Sequence, residues 1–179
     1  MNDNLETPRL PRKITAAYLD RAALHYLERY ASSAENLRRV LHRKVEKRCR
    51  LRGEDPADFA LLVEAVMARV VEAGLVDDSR YAQGKVASLR RRGGSARLIG
   101  AKLAGKGVGR EVIAAALQGD EGDEGAAALA YARRRRLGPF RGERDPVRDK
   151  DLRRKDLAAL ARAGFGFDVA RRVLDGEGD

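Results

Sequence analysis

The sequence predicts an all-α protein made of three tandem three-helix repeats that form an elongated, curved body. Three observations support this fold class. Apolar residues recur at the spacing of amphipathic helices through most of the 179 residues. Aromatic residues make up only 5% of the chain and Trp is absent, which disfavours a large β-sandwich core. A pattern of short helices and glycine-bearing turns also recurs along the chain.

The predicted organisation places a polar, proline-containing segment before the three helical repeats. An acidic, glycine-rich linker separates the second repeat from the third. The predicted bounds are residues 1–13 for a disordered N-terminal segment, 14–76 for repeat 1, 77–117 for repeat 2, 118–125 for the acidic linker, 126–174 for repeat 3 and 175–179 for a polar tail. Each repeat is too small to bury its apolar stripes alone, so we expect the repeats to pack end to end.

Repeat 1 contains three predicted amphipathic helices. Thr15 is positioned to cap the first helix, and the second is predicted over residues 33–48, before the loop RCRLRGEDP. Pro56 suits the first turn of the third helix, because the N–H that proline lacks would be unpaired there. The apolar stripe of the first helix is predicted to be Leu19, Ala22, Ala23, Tyr26, Leu27 and Tyr30. That of the third is predicted to be Leu62, Ala65, Val66, Val70 and Ala73.

Repeat 2 is predicted to be three short helices separated by glycine turns. Asp77 and Asp78 precede the first helix, where their carboxylates can accept from first-turn amides. That helix ends in arginines followed by two glycines, and Ser95 can cap the second helix. A third helix is predicted over about residues 110–117.

An internal repeat relates repeat 2 to repeat 3. A shift of 57 residues superimposes a glycine turn and the apolar positions of the helix that follows it. The aligned pairs are Leu103 with Leu160, Gly107 with Gly164, Val108 with Phe165, Gly109 with Gly166, Glu111 with Asp168, Val112 with Val169, and Leu117 with Leu174. A shift of 62 residues aligns repeat 1 with repeat 2 through their second helices only, starting from Ser33 and Ser95.

Positive charge is concentrated in repeat 2. Residues 78–117 contain nine Lys or Arg and two Asp or Glu, a net charge of +7 in a chain whose total is +10. Such an excess on a short helical unit favours a polyanion or an acidic protein surface as partner. The scarcity of aromatic residues disfavours base stacking on a single-strand platform.

A family signature lies at the junction of repeats 1 and 2. Residues 72–82 are EAGLVDDSRYA, which resembles the GL.DD.RYA signature of the RecX family of regulators of the bacterial RecA recombinase. RRRGGS at 90–95, KGV at 106–108 and RAGF at 162–165 support the resemblance, which covers most of the chain. The chain departs from the family pattern by the insertion RCRLRGEDPADF and by the acidic linker.

The resemblance implies three tandem three-helix repeats and a non-enzymatic regulator acting in recombination, DNA repair and the SOS response. It also implies binding to the RecA filament, with inhibition of ATP hydrolysis and strand exchange as the usual outcome. Single- or double-stranded DNA, directly or within the filament, is the second expected partner. No cofactor and no catalytic residue come with the resemblance, and we expect a monomer.

Cations on the helix surfaces are the candidate residues for binding RecA or DNA, because Arg pairs bidentately with carboxylates and phosphates. The candidates are Arg38, Arg39, Arg43 and Lys44 in repeat 1, and Arg90, Arg91, Arg92, Arg97, Lys102, Lys106 and Arg110 in repeat 2. The alternative interpretation is that these helices only keep charged residues on their solvated sides. The scarcity of interleaved acids favours a binding surface.

Residues 100–107 resemble the phosphate-binding loop of nucleotide-binding proteins but do not satisfy its sequence pattern. Residues 100–107 place Gly107 where a hydroxyl is required and continue a helix with no strand before it, so we predict no nucleotide site. The sequence has no Cys/His cluster at zinc spacing, so we predict no metal and no other cofactor. His25 and His42 lie on different predicted helices without a nearby nucleophile or metal-ligand constellation. Cys49 permits either an ordinary reduced thiol or a reactive thiolate between two arginines, and we favour the ordinary thiol.

Two other functions stay open from the sequence. A helix-turn-helix within residues 33–73 or 95–117 would bind duplex DNA directly. An enzyme of nucleic-acid metabolism is disfavoured by the lack of a convincing nucleophile, metal cluster or nucleotide loop. With no signal peptide and no segment of membrane-spanning length, the sequence indicates a cytoplasmic protein without a membrane partner.

Overall fold

The computed structural model describes residues 10–120, 122–142 and 149–176, in which all regular structure is helical. These residues form nine α-helices and two 3₁₀ helices and contain no strand, so the predicted all-α class is confirmed. The helices are α1 (Ala16–Leu27), α2 (Ala34–Arg52), α3 (Ala60–Glu72), α4 (Asp78–Arg90), α5 (Ala96–Gly105), α6 (Arg110–Gln118), α7 (Glu124–Arg135), α8 (Asp149–Arg162) and α9 (Phe167–Asp175). The 3₁₀ helices are Pro56–Phe59 and Gly138–Phe140. The chain divides into two compact units, Met1–Asp78 and Ser79–Asp179.

Unit 1 buries the apolar stripes of α1, α2 and α3 in one core, and the predicted Thr15 cap is in place. The Thr15 side chain accepts from the amide of Tyr18, and that of Ser33 accepts from the amide of Asn36. The helix α2 continues to Arg52, so the prediction that it ends at residue 48 is wrong and residues 49–52 are helical. Cys49 explains the extension, because it is fully buried and continues the stripe of Val45 one turn further.

The buried sides of α1 and α3 also differ in part from the prediction. Val63 and Met67 are buried on α3 together with the predicted Val66 and Val70, whereas Ala65 and Ala73 are exposed. The larger side chains bury more apolar area than the alanines, which favours this rotation of the helix. Tyr30 is 56% exposed because α1 ends at Leu27.

Unit 2 contains two cores, one formed by α4, α5 and α6 and one by α7, α8 and α9. The first core includes Ile99 and Leu103, and the second includes Leu160 and Phe165. The 57-residue repeat appears in the backbone of both three-helix groups. Gly107 and Gly164, which it aligns, have φ of +78° and +93°, a region that favours glycine. Gly109 and Gly166 follow as the N-caps of α6 and α9, so each three-helix group contains a glycine turn of the same conformation.

Some predicted segments lie outside the residues that the structure describes. They are residues 1–9 of the predicted disordered segment, residue 121 of the acidic linker, residues 143–148 of repeat 3, and residues 177–179 of the tail. None of the helices in the described ranges combines the length and hydropathy that a membrane-spanning segment requires.

Candidate binding surface

Two of the four candidate cations in unit 1 belong to an ion-pair network between α2 and α3. Arg38 donates to both carboxylate oxygens of Glu64, at 2.8 and 3.1 Å, and to Glu35 at 2.7 Å. Arg39 donates to Glu35 at 3.0 Å. The bond from Arg38 is the main reason that the pKa of Glu35 lies below its ordinary value. This pair of arginines therefore supports the packing of unit 1.

The other two candidates of unit 1 sit further along α2. Arg43 is exposed and Lys44 is half-buried. Within the described part of the chain, neither side chain has a carboxylate partner. Their charges are available to an external anion.

Unit 2 presents a set of exposed cations that we call the repeat 2 cations: Arg91, Arg92, Arg97, Lys102 and Arg110. None of them has an ion pair among the described residues. Lys106, the C-cap of α5, is also exposed. These residues do not form a single stripe, because Arg97 and Lys102 are five residues apart and thus about 140° apart around α5. The structure distributes them over the turn after α4, the outer sides of α5 and the start of α6.

Arg90 differs from its sequence neighbours because it is held inside unit 2. Its guanidinium donates to Asp120 at 2.6 Å, to Glu124 at 2.5 Å and to the carbonyl oxygen of Gly94 at 3.1 Å. The side chains of Arg90 and Asp120 are each only 11% exposed. The prediction that Arg90 contacts a partner stays a prediction, but its geometry gives it a role in the unit's own packing.

The carboxylates of Asp120, Asp123 and Glu124 in the acidic linker have partners within unit 2. Asp120 and Glu124 bind Arg90, and Glu124 also accepts from the amide of Ala96 at the start of α5. Asp123 caps α7, and the amides of Gly125 and Ala126 lower the pKa of its carboxyl group. The acidic linker is therefore anchored at these three residues, because their carboxylates pair with the largely buried Arg90 and with helix N-termini.

Sequence analysis missed a second group of cations, in repeat 3. Arg133, Arg134, Arg135 and Arg136 are all exposed at the end of α7. Four consecutive arginines are visible in the sequence, but they were not among the predicted binding residues. Arg134 donates to the backbone carbonyl of Arg92, and the guanidiniums of Arg134 and Arg135 lie 5.6 and 5.9 Å from the ring centre of Tyr131. This group therefore adjoins the α4–α5 turn.

Other residues discussed from the sequence are buried in a core or bonded within the protein. Cys49 is buried and burial raises the pKa of its thiol, so the reactive alternative is wrong. Tyr81 is buried in the first core of unit 2. Asp78 is the first residue of α4, and its carboxylate accepts from the amide of Ala34 at 2.8 Å.

Residues 100–105 belong to α5, which excludes a phosphate loop there. The described residues contain no group of three or more metal-ligand side chains with suitable geometry.

Comparison with protein families supports the sequence resemblance. Residues 77–117 match the model described as RecX, second three-helix domain. This segment holds the repeat 2 cations.

Relatives of known name match nearly the whole chain. A protein of Myxococcus xanthus named Regulatory protein RecX is 45% identical over 170 residues, which cover 94% of this chain and 90% of that protein. A protein of Agrobacterium fabrum with the same name is 34% identical over 153 residues, covering 86% of this chain and 79% of that protein. A solved structure described as the crystal structure of regulatory protein RecX has a TM-score of 0.60 and 21% identity, and covers 89% of this chain and 71% of that chain. At that identity the solved structure supports the fold alone.

Proposed function

This chain belongs to the RecX family of regulatory proteins, and on that premise we propose that it binds the RecA–DNA filament and lowers its rate of ATP hydrolysis and strand exchange. The observation that carries the proposal is the set of repeat 2 cations. These five exposed side chains lack an ion pair among the described residues and lie within the family-matched segment 77–117.

The physical chemistry of these cations suits a filament of protein wrapped on DNA. Exposed Arg and Lys contribute little to stability, so a set without intramolecular partners is available for phosphates or surface carboxylates. Arg43 and Lys44 in unit 1 add a second group of available charges. Several weak contacts to neighbouring protomers of a periodic filament would add through multivalency, without a deep pocket in any one repeat.

A titration of this protein into RecA bound to single-stranded DNA, with ATP hydrolysis as the readout, tests the proposal. We expect hydrolysis to fall as the protein is added. The variant Arg91→Glu/Arg92→Glu should raise the concentration for half-maximal inhibition about tenfold or more, because it turns attraction into repulsion. Arg90 is left unchanged, since reversing it would also break the ion pairs with Asp120 and Glu124.

The matched control is Arg21→Glu/Arg29→Glu, which makes the same change of net charge at two exposed arginines of unit 1 outside the candidate set. It should inhibit like the unmodified protein. Equal inhibition by both folded variants and the unmodified protein would contradict the assignment to the repeat 2 cations. No effect of the unmodified protein on hydrolysis would contradict the proposed function.

Direct recognition of duplex DNA is the alternative function, and the same purified proteins can be used to test it. A helix-turn-helix protein would shift a preferred duplex without RecA and keep that preference as salt is raised. We expect instead weak, salt-sensitive binding to DNA alone, without sequence preference, and stronger binding to the RecA-coated strand.

A further inference from the structure

A groove in unit 2 lies among α5, α7 and α8. Its volume is about 480 Å³, and it is lined by Leu98, Tyr131, Arg135, Leu137, Ala159, Arg162 and Ala163. The floor is apolar and contains one aromatic ring. The two charged lining residues are both arginines, and both are exposed.

The charges around this groove are unbalanced. Neither Arg135 nor Arg162 has an ion pair among the described residues, and no carboxylate lines the groove. Two exposed guanidiniums beside an apolar floor fit an occupant that is both anionic and apolar.

We propose that this groove binds single-stranded DNA, with phosphates on Arg135 and Arg162 and an unpaired base on the apolar floor beside Tyr131. The inference rests on the proposed function only in taking single-stranded DNA as the strand that the protein meets. It assigns to repeat 3 a contact with the strand itself, separate from contacts with RecA.

The groove favours a single strand over a duplex and over an acidic protein segment. In a duplex the base faces are stacked and covered, so an apolar floor would have nothing to contact, whereas an unpaired base exposes its faces. The run Arg133 to Arg136 adds consecutive exposed cations beside the groove, without an intervening acid. Such a density of charge suits the regularly spaced phosphates of a nucleic acid.

The test is the salt dependence of binding to fluorescein-labelled oligothymidylate, measured by fluorescence anisotropy with the full chain and without RecA. The variant Arg135→Gln/Arg162→Gln removes two phosphate contacts. We expect weaker binding and a slope of log K against log salt that is less steep by about 1.4, since each contact to a single strand contributes about 0.7. The control Arg21→Gln/Arg29→Gln makes the same change of net charge and should keep the original slope.

Three results would overturn the inference. One is an unchanged slope for the groove variant, and another is an equal loss for the control. The third is a groove-dependent affinity for a labelled glutamate peptide without any change for oligothymidylate, which would assign the groove to a protein segment. RecA-dependent ATP hydrolysis is measured separately on the same proteins, so failure of inhibition would leave the DNA result interpretable by itself.

Discussion

Ser95 and Gly164 meet where the two three-helix groups of unit 2 pack together. The Ser95 hydroxyl donates to the carbonyl oxygen of Ala163 at 2.6 Å and accepts from the amide of Leu98 at 3.1 Å. A Cβ on Gly164 would lie 2.5 Å from the same hydroxyl oxygen. Ser95 thus caps α5 and joins it to the turn before α9. Residue 164 has to be glycine, because a side chain there would collide with the Ser95 hydroxyl.

Replacing Gly164 with Ala should destabilise unit 2 by about 2 to 4 kcal/mol. The new Cβ would collide with Ser95, and the backbone φ of +93° is costly for a residue with a side chain. Urea unfolding followed by far-UV circular dichroism measures the change. The matched variant Gly84→Ala lies in α4 with open space around it and should stabilise by about 0.5 to 1 kcal/mol. Equal stability of the two variants would contradict this description of the contact.

Arg90→Gln should destabilise unit 2 by about 3 kcal/mol, because it leaves the largely buried carboxylate of Asp120 without its cation. Arg91→Gln removes the same charge from the next residue, which is exposed and has no ion pair among the described residues, and should change stability by less than about 0.5 kcal/mol. The free energies of unfolding from denaturant titrations provide the comparison. Similar values for the two variants would show that the Arg90 ion pairs add nothing to stability.

The fold was largely predictable from the sequence, because helical periodicity and capping residues act locally. Thr15 and Ser95 cap the helices that they were predicted to cap. The errors have tertiary causes. The extension of α2 depends on the burial of Cys49, and the rotation of α3 depends on Val63 and Met67 filling the core.

The candidate surface was less predictable, because charge composition does not identify which cation is already paired. Arg90 and Arg91 are adjacent and chemically identical, yet only Arg90 reaches carboxylates 30 and 34 residues further along the chain. The groove of α5, α7 and α8 had no sequence signal as a site, since Leu98, Tyr131 and Arg162 come together only through packing.

The Cys49 thiol should resist modification in the native protein. Burial is the first cause that raises its pKa, and a thiol reacts as its thiolate. A disulfide reagent at mildly alkaline pH should label Cys49 only as denaturant unfolds unit 1. Because the folded pKa is raised, the thiol favours the folded state at neutral pH, and this contribution is lost as pH rises through the folded value. Rapid stoichiometric labelling of the native protein would contradict the buried position.

Arg136→Gly should stabilise unit 2 by about 1 kcal/mol. Arg136 ends α7 in the left-handed region, with φ of 55°, a conformation that glycine adopts without steric cost. Arg133→Gly removes the same charge within the helix and should destabilise by about 1 kcal/mol, since glycine disfavours helix interiors. Thermal unfolding of the two variants distinguishes them, and a midpoint for Arg136→Gly below that of Arg133→Gly would be inconsistent with the left-handed cap.

Binding to a preassembled RecA filament is the most direct measurement of the central claim, that the repeat 2 cations dock on that filament. The fluorescently labelled protein is titrated with RecA held on single-stranded DNA by a nonhydrolysable ATP analogue, and anisotropy gives the affinity. We predict saturable binding that Arg91→Glu/Arg92→Glu weakens about tenfold or more, with Arg21→Glu/Arg29→Glu unchanged. Absence of binding, or equal affinity of both variants, would contradict the claim.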